Sequence, residues 1–552
     1  MNARFLIRLA LGCVTLTLTL AAHAADVPRW SVHEIALTAA GEFQSAYTEV
    51  EVTAQFTGPD GAVKTVRGFW DGGRDFKVRF TPTMPGSWTY AVISKPADAG
   101  LARGGEFTCT APAPNSHGFL RRDAEFPTSF VFDDGTRHFH CGTTYYALLF
   151  NARAGGDWQT SLTNIARYGV NKVRLHLDPS SDNTSKTHFP PSKPALDGDP
   201  DRPDIAHWQA ADRVLRFMAE RGMMAELIVF PYRRKQSDVA SLAQDERYLR
   251  YVLARFAAFP NVQWCLVNEW NYSVLPRDYW NAMGRLARAE DPWSVDGERP
   301  RALSIHQQTR PDWNFADETW PSHAIIQLGV RNRGASAKIG NEWAPAPDGV
   351  KRFTFGDDWG NHSIVRNWTG KQPVVNDEYG YIGEPQDDSA GAKRDGPGVR
   401  FTREKHRRTM WGIVAGGGYL ATGDKNDYPD GRPYVSAAWH DVPEYGDLQH
   451  LVNFFTTRGL EYWKMAPHNE MAHGSRVYAL AEPGRQYVVY AAAGGEFTLE
   501  LAPGTYSATR FDPRTGEGTD LPAVQGGAPK FIMPDAQDWV VRLQMSPLIK
   551  KP

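Results

Sequence analysis

The chain has 552 residues, of which 41% are apolar, and its formal net charge is -2 at pH 7. A single hydrophobic core rarely extends beyond about 250–300 residues, so this length predicts two to four domains. The near-balance of charge argues against a nucleic-acid or polyanion partner that is bound through bulk electrostatics.

The first two dozen residues have the pattern of a secretory signal peptide. Arg4 and Arg8 supply a positive start, residues 9–20 form a short apolar run, and Ala22-His23-Ala24 fits a small-x-small cleavage site. The apolar run is too short to span a membrane, so no membrane span is predicted. We expect residues 1–24 to be removed and the mature chain to be exported, to the periplasm or to the extracellular space.

Residues 25–113 are predicted to form an N-terminal β-sandwich. Short stretches of alternating polarity, such as residues 47–56 and 75–80, are separated by turn signals such as Gly58-Pro59-Asp60-Gly61. Regular strand spacing without a helical period is typical of two packed β-sheets.

Residues 114–466 show strands that alternate with amphipathic helices, a pattern typical of βα units. Two such helices cover residues 158–168 and 208–221, where apolar residues recur on one face. Eight candidate strands occur at 139–144, 172–177, 225–230, 262–267, 302–306, 324–328, 373–376 and, for the eighth, within 411–420. This number predicts a central (β/α)8 TIM barrel. An open doubly wound sheet is the rival, but no glycine-rich turn follows the first strand.

Residues 467–552 return to short strands, such as 487–490 and 497–501, and are predicted to form a C-terminal β-sandwich. After loss of the signal peptide the cysteines are Cys109, Cys141 and Cys265, an odd number, and we expect no structural disulfide. No Cys/His cluster has zinc-ligand spacing, and no glycine-rich phosphate loop follows a strand. We therefore expect neither a metal nor an organic cofactor.

Two short stretches carry the chemistry of the chain. The apolar run 262–267 ends in Asn268-Glu269-Trp270, and the apolar run 373–375 ends in Asn376-Asp377-Glu378-Tyr379. A buried parallel strand that ends in polar groups is typical of a barrel strand at its catalytic end. Two glutamates at the ends of two such strands meet the requirement of retaining glycoside hydrolysis, in which the carboxyl groups lie about 5–5.5 Å apart.

This arrangement resembles the large clan of retaining barrel glycosidases that includes cellulase-like and mannanase-like enzymes. In that clan a general acid/base follows strand four and a nucleophile follows strand seven. The resemblance implies that Glu269 is the acid/base, that Asn268 is an amide that orients the substrate, and that Glu378 is the nucleophile. Asp377 is the competitor of Glu378 for the nucleophile's role.

The flanking segments carry resemblances of their own. Residues 66–90 resemble an uncharacterised sandwich domain that often precedes bacterial glycosidase barrels, and the last 80 or so residues resemble a small C-terminal sandwich named for collagen binding. These resemblances imply docking or structural support rather than catalysis.

Further residues are predicted to bind the substrate. Arg174 resembles the clan's arginine near the nucleophile, and His176 shares its strand face. His306, Trp270 and Tyr379 complete the predicted set. Each has an alternative structural role: Arg174 as an ion-pair partner inside the barrel, the histidines as core residues, and Trp270 as a packing residue.

Two positions depart from the clan's pattern. Gln327 stands at the end of strand six, where the clan often has tyrosine or histidine. The tryptophan that commonly follows strand eight is not evident, and Trp411 and Tyr419 are the candidates for its place.

The sequence thus predicts an exported retaining glycoside hydrolase that acts on a poly- or oligosaccharide through a covalent glycosyl-enzyme intermediate. Its 18 Trp and 21 Tyr suit the apolar faces and polar edges of sugars, although core packing explains such rings equally well. A transglycosylase that uses the same site is the rival among enzymes. A non-catalytic carbohydrate-binding or adhesion protein on a decayed barrel is the rival from another class.

Overall fold

The structure is a computed structural model, and it describes residues 25–146, 148–178, 199–231, 239–308, 312–327, 336–339, 342–345, 357–382, 402–424 and 443–546. The predicted signal peptide, residues 1–24, lies outside the described residues, so its assignment stays a prediction.

The N-terminal unit consists of two small, mainly antiparallel sheets. A five-stranded sheet has the order β1-β8-β7-β3-β4, in which β1 is parallel to β8, and a three-stranded sheet has the order β2-β6-β5. In β3 every second residue is buried, which places Val52, Ala54 and Phe56 in the core. The elements are β1 (Ala25–Pro28), β2 (His33–Thr38), α1 (Ala46–Glu49), β3 (Glu51–Thr57), β4 (Val63–Arg67), β5 (Phe69–Gly72), β6 (Asp75–Phe80), β7 (Gly86–Lys95) and β8 (Arg103–Thr110).

The central unit is a nearly closed parallel barrel. A short antiparallel sheet precedes it, formed by β9 (Leu120–Arg122), β10 (Phe130–Phe132) and β11 (Arg137–His138). The barrel strands are β12 (Cys141–Thr144), β13 (Lys172–His176), β14 (Met224–Phe230), β15 (Val262–Val267), β18 (Leu303–Ser304), β19 (His306–Gln308), β20 (Ala324–Gln327), β23 (Val374–Asn376) and β25 (Tyr419–Asp424). The order is β18-β15-β14-β13-β12-β25-β23-β20-β19, and β18 and β19 are two halves of the fifth strand, interrupted at Ile305.

Helices cover the outside of the barrel, as the alternating pattern predicted. They are α2 (Leu148–Ala154), α3 (Trp158–Ala166), α4 (Ile205–Ala219), α5 (Leu242–Phe256), α6 (Arg277–Glu290), α7 (Asp357–Asn367), α8 (Arg403–Ala415) and α9 (Pro443–Thr457). Small additions are the hairpin of β16 (Val295–Asp296) and β17 (Arg299–Pro300), the hairpin of β21 (Ser336–Ile339) and β22 (Glu342–Pro345), and β24 (Tyr381–Ile382), which pairs with β25.

The eighth strand lies later than the first of its two predicted positions. Residues 411–415 belong to α8, which ends at Ala415 with Gly416 as its C-cap, and the strand begins at Tyr419 after Gly417 with a φ of 81°. Trp411 stacks on Tyr490, outside the barrel. Tyr419 stands at the start of β25, the end of the barrel opposite to the catalytic end. Neither ring is therefore placed to support a sugar.

The C-terminal unit again consists of two sheets. The six-stranded sheet has the order β26-β28-β29-β34-β31-β32, and the three-stranded sheet has the order β27-β30-β33. The unit docks on α8, where Arg407 makes two hydrogen bonds of 2.9 and 2.7 Å to the buried Asp538. Its strands are β26 (Ala466–Pro467), β27 (Ala472–Gly474), β28 (Val477–Glu482), β29 (Gln486–Ala491), β30 (Glu496–Leu499), β31 (Leu501–Phe511), β32 (Gly518–Gly527), β33 (Lys530–Ile532) and β34 (Trp539–Met545).

The three cysteines outside the predicted signal peptide, Cys109, Cys141 and Cys265, are buried and free, in agreement with the sequence prediction. Among the described residues, no helix combines the length and the apolar character that a membrane crossing needs.

A buried ion-pair cluster joins the N-terminal unit to the barrel. Arg79 of β6 donates to both carboxylate oxygens of Asp212 on α4, at 2.7 and 2.8 Å. Arg255 of α5 contacts the same carboxylate and also Asp71 of β5, at 2.8 Å. These side chains are almost completely shielded from solvent, so each charge depends on its partners for stabilisation.

We predict that Arg79→Met lowers the free energy of unfolding by about 3–5 kcal/mol, because it leaves buried carboxylate charge without its main cation. Urea unfolding followed by fluorescence measures the change. The matched control is Arg285→Met, which removes an arginine that is 60% exposed and 3.1 Å from Glu318. That loss should stay below about 1 kcal/mol. Equal effects of the two substitutions would show that the buried cluster does not fasten the N-terminal unit.

Candidate active site

The second barrel strand carries a row of ionisable side chains that point into the barrel. Lys172, Arg174 and His176 occupy alternate positions of β13, and all three are buried. Alternate side chains of a strand share one face. In the parallel register Arg174 pairs with Glu226, and His176 pairs with Ile228. A charged row persists in a buried strand only where partners or a cavity compensate the charge.

The Arg174 guanidinium links the ends of the fourth and seventh strands. Its Nη2 donates to Asn268 Oδ1 at 2.9 Å, directly after β15. Its Nη1 donates to the Asp377 carbonyl at 2.9 Å and lies 3.5 Å from Glu378 Oε2, directly after β23. The two polar stretches that the sequence singled out therefore meet at one buried cation.

Glu269 has an unusual backbone conformation at the end of β15. Its φ and ψ are both 50°, the left-handed region, which costs a non-glycine residue about 1–3 kcal/mol. This turn starts the short 3-10 helix Trp270–Tyr272 and directs the Glu269 N–H to His306 Nδ1 at 3.0 Å. Burial, followed by the charge of Arg174, holds the pKa of His306 well below its ordinary value. The neutral ring can therefore accept this bond, and its other nitrogen, Nε2, has no partner among the described residues.

Glu378 is held by a phenol and by the arginine. The Tyr146 hydroxyl donates to Glu378 Oε2 at 2.8 Å and accepts from Arg174 Nη1 at 3.0 Å. Both neighbours favour the ionised carboxylate, which is the form that a nucleophile needs. Because β23 ends at Asn376, strict alternation stops there, and the consecutive side chains of Asp377 and Glu378 both face Arg174.

Tyr379 does not supply the phenol beside Glu378. Its hydroxyl lies 3.0 Å from His406 Nε2, and its ring is completely buried. This placement does not support the substrate-binding role that the sequence predicted for Tyr379. Tyr146, two residues after β12, is the phenol in contact with the carboxylate.

A second set of charges, the lower layer, consists of Lys172, Glu226 and Asp377 beneath Arg174. Lys172 Nζ lies 2.6 Å from Glu226 Oε2 and also contacts Asp377 Oδ1, while Arg174 Nε lies 2.9 Å from Glu226 Oε1 and 3.0 Å from Asp377 Oδ2. Gln263 also donates to Glu226, at 2.7 Å. Each of the two cations thus contacts one oxygen of each carboxylate.

The two carboxyl groups of the lower layer differ in their affinity for protons. Burial, and then the charge of Glu226, raises the pKa of Asp377 to about 7. Although burial opposes it, the charges of Lys172 and Arg174 hold the pKa of Glu226 well below its ordinary value. Of the two carboxyl groups, Asp377 therefore binds a proton more readily than Glu226.

One group of described residues has the spacing of metal ligands. Donor atoms of His140, Glu226 and Asp377 lie within 4.8 Å of one another, and all three residues are buried. The Lys172 ammonium already contacts both carboxylates, however, so a metal ion would meet a positive charge at its own ligands. The residues present do not fit a metal site.

The remaining predicted residues lie around this centre. The His176 ring packs 4.8 Å from the Tyr146 ring, and burial lowers the pKa of His176 to about 3, so this histidine is neutral. Trp270 is buried 5.1 Å from the Phe315 ring, and its indole N–H donates to Gln307 at 3.2 Å, which favours the packing role. Gln327 is buried at the end of β20, and its Oε1 has no partner among the described residues.

The structure therefore brings Arg174, Asn268 and Glu378 into direct contact, sets Glu269 beside Asn268 and His306, and leaves Tyr379 outside this group. Sequence reasoning missed Lys172 as part of the centre. The signal was available, because Lys172, Arg174 and His176 alternate within an otherwise apolar strand.

This arrangement can perform acid–base and nucleophilic chemistry on a bound molecule. One carboxylate, Glu378, contacts the Tyr146 hydroxyl and the Arg174 guanidinium, and such neighbours favour the charged form of a carboxyl group. A second carboxyl, Glu269, follows Asn268 after β15, on a different side of the barrel from β23, and is largely buried. Double-displacement chemistry uses two separate carboxyl groups, one ionised and the other protonated.

Two family models match the chain. A model described as "Apiosidase-like, catalytic domain" matches residues 128–423, and a model described as a domain of unknown function, DUF5060, matches residues 26–95. No curated protein sequence matches this chain.

Solved structures share the fold at low sequence identity. A protein from Bacteroides vulgatus, provisionally described as a glycoside hydrolase, is 20% identical, with coverage of 95% of this chain and 100% of that one and a TM-score of 0.73. A glycoside hydrolase of family 5 from the same species is 16% identical, with coverage of 80% and 96% and a TM-score of 0.62. At these identities the likeness shows a glycoside-hydrolase fold with an N-terminal domain before the barrel.

The first model covers more than half of the chain, and its range contains β12 to β23, all of β25 except Asp424, and the residues Arg174, Glu269 and Glu378. The chain therefore belongs to the family of Apiosidase-like catalytic domains.

Proposed function

We propose that this chain is an exported retaining glycoside hydrolase with Glu378 as the nucleophile and Glu269 as the general acid/base. The observation that carries the proposal is the contact of one buried guanidinium, that of Arg174, with both Asn268 and Glu378. Glu269 follows Asn268 directly, so this contact ties the two proposed catalytic strand ends to one centre. The glycoside-hydrolase fold of the barrel and the family match support the same reaction class.

In the first step a Glu378 carboxylate oxygen forms a bond to the anomeric carbon while the bond to the leaving oxygen breaks. Glu269 gives its proton to that oxygen, and the leaving sugar departs as an alcohol. In the second step Glu269 takes a proton from water, the water oxygen bonds to the anomeric carbon, and Glu378 is released. Asn268 orients the sugar hydroxyl beside the reacting carbon.

The substrate is a poly- or oligosaccharide, and the family description makes apiosides the first glycosides to try. We assign residues 1–24 to a signal peptide, residues 25–113 and 467–552 to β-sandwiches that support the barrel, and residues 114–466 to the catalytic barrel. The mature enzyme acts in the periplasm or outside the cell.

The test is hydrolysis of a panel of aryl glycosides, an aryl apioside among them, and of plant polysaccharides by residues 25–552. Glu378→Gln should lower kcat by at least about 1000-fold, because the nucleophile is lost, and should leave Kd for the saccharide within about 3-fold. Calorimetry measures the binding. Unchanged turnover in this variant would contradict the proposal, and binding without any wild-type hydrolysis would favour a carbohydrate-binding protein.

The effect of Glu269→Gln should depend on the substrate. A leaving group of high pKa needs a proton from the acid, whereas a leaving group of low pKa departs without one. Turnover of natural saccharides should fall by at least about 100-fold, whereas formation of the glycosyl-enzyme from a glycoside with an acidic phenol should be much less affected. Pre-steady-state release of phenol measures the difference. Equal losses on both substrates would remove Glu269 from the acid's role.

Two tyrosines give a matched comparison at the nucleophile. Tyr146→Phe removes the hydroxyl that lies 2.8 Å from Glu378 Oε2. A hydrogen bond to a charged group contributes about 1.5–3 kcal/mol, so kcat/KM should fall by roughly 10- to 100-fold.

Tyr379→Phe is the control, since its hydroxyl contacts His406 rather than Glu378. Its kcat/KM should stay within about 3-fold of the wild-type value. A larger loss for Tyr379→Phe than for Tyr146→Phe would return the phenol's role to Tyr379.

A further inference from the structure

The lower layer lies directly beneath the proposed nucleophile. It adds a second cation, Lys172, to the two carboxyl groups that already pair with Arg174. Lys172, Glu226 and Asp377 are each completely buried, and they come from three different strand regions of the barrel. Burial of an ammonium and two carboxyl groups is costly, and barrel interiors are ordinarily filled by apolar side chains. The cost indicates a role beyond packing.

The lack of a side chain at Gly142 leaves room for the Lys172 side chain. A Cβ atom at Gly142 of β12 would lie 2.6 Å from Lys172 Cε, closer than any ordinary contact. A larger residue at position 142 would therefore displace the lysine. The glycine and the lysine together indicate that the ammonium has a fixed place in the barrel.

The lower layer competes for Arg174 with the groups at the mouth of the barrel. Arg174 Nε faces Glu226 and Asp377, while its Nη atoms face Asn268 and Glu378. Without another cation, the two buried carboxylates would draw the guanidinium downward. Lys172 prevents this, because its ammonium occupies the other oxygen of each carboxylate.

We propose that Lys172 and Asp377 are positioning residues, which act through Arg174 to keep its guanidinium against Glu378 and Asn268. This inference rests on the proposed function, since it concerns the same nucleophile. Neither residue touches the substrate. Lys172 fixes the position of the guanidinium along the barrel axis. The protonation of Asp377 determines how much negative charge the two cations compensate.

The charge balance makes this layer sensitive to pH. Two cations, Lys172 and Arg174, face three carboxyl groups, and Asp377 is the one with a pKa raised by burial to about 7. The charged and titratable groups around Asp377 are Lys172 and Arg174 of β13, Glu226 of β14, Cys265 of β15, Glu378 beside it and His140 before β12. Deprotonation of Asp377 adds a negative charge that pulls on both cations.

The first test is Lys172→Met, which keeps the length of the side chain and removes its charge. We expect kcat to fall by about 10- to 100-fold with KM changed less than about 3-fold, because the binding groups remain but Arg174 moves away from the nucleophile. The acid limb of the pH profile should move to higher pH, since the loss of one cation disfavours the ionised carboxylates and raises their pKa values. The control is Lys530→Met, which breaks an exposed pair with Glu496 and should change neither quantity.

The second test is the charge-balanced pair Lys172→Met/Asp377→Asn. At a pH well above 7, where Asp377 is ionised, removing one positive and one negative group together should restore at least about 10-fold of the kcat lost in Lys172→Met. A side chain that merely supports the fold would give additive losses instead. Additive losses, or a Lys172→Met variant with wild-type kcat and pH profile, would overturn the proposal.

Asp377→Asn alone gives a measurement that does not depend on hydrolysis, and it decides the case if Lys172→Met does not fold. An unfolded aspartate loses its proton near pH 4, whereas Asp377 keeps its proton to about pH 7 in the folded chain. Wild-type stability should therefore fall between these pH values, and the variant should lack this slope. Urea midpoints at pH 5 and pH 8 measure the change.

Identical slopes in the two proteins would contradict the proposal whatever the activity. Glycoside hydrolysis that is lost in Glu378→Gln but insensitive to every change in the lower layer would refute the positioning role and leave the proposed function intact. A crystal structure of Lys172→Met adds the direct view, in which the Arg174 to Glu378 contact should be broken.

Discussion

The buried guanidinium of Arg174 is the interaction on which the centre of this molecule depends. A charge inside a barrel costs several kcal/mol in lost hydration, so it is kept only where partners surround it. Arg174 has such partners on β14 and at the ends of β15 and β23, and its own strand, β13, is paired with β14 along five residues. The positions of Asn268 and Glu378 are consequently as fixed as the barrel itself, which is the rigidity that catalytic geometry demands.

The rest of the architecture supports that rigidity from outside. The N-terminal unit docks on α4 and α5 through the carboxylate of Asp212, and the C-terminal unit docks on α8 through Arg407 and Asp538. Both contacts are buried arginine–aspartate pairs with two hydrogen bonds each, a geometry that fixes orientation as well as distance. The flanking units therefore contact outer helices, while the proposed catalytic centre consists of side chains from β13 and β14 and from the residues directly after β15 and β23.

Much of the fold followed from the sequence, because apolar runs and helical periods are local signals. Seven barrel strands occur at or within two residues of their predicted positions, and the eighth was displaced because Trp411 and its neighbours form an apolar helix before Gly416.

The centre was harder to predict. Tyr146 and Glu378 are 232 residues apart, and no local pattern tells which phenol reaches a carboxylate across the barrel. Tyr379 was the nearer choice in sequence, but the end of β23 turns its ring to His406. The ionisable row of β13 did carry information, since three buried cationic or titratable side chains on one strand face need partners inside the barrel.

We propose that Glu378 attacks the anomeric carbon within a centre organised by Arg174. The most direct measurement is trapping of the intermediate with a 2-deoxy-2-fluoro glycoside that carries a good leaving group, followed by peptide mass spectrometry. The fluorine slows both steps, and the reactive leaving group lets the first step outrun the second, so the glycosyl-enzyme accumulates. We expect one sugar per chain, attached to Glu378. A sugar attached to Asp377, or to any other side chain, would contradict it.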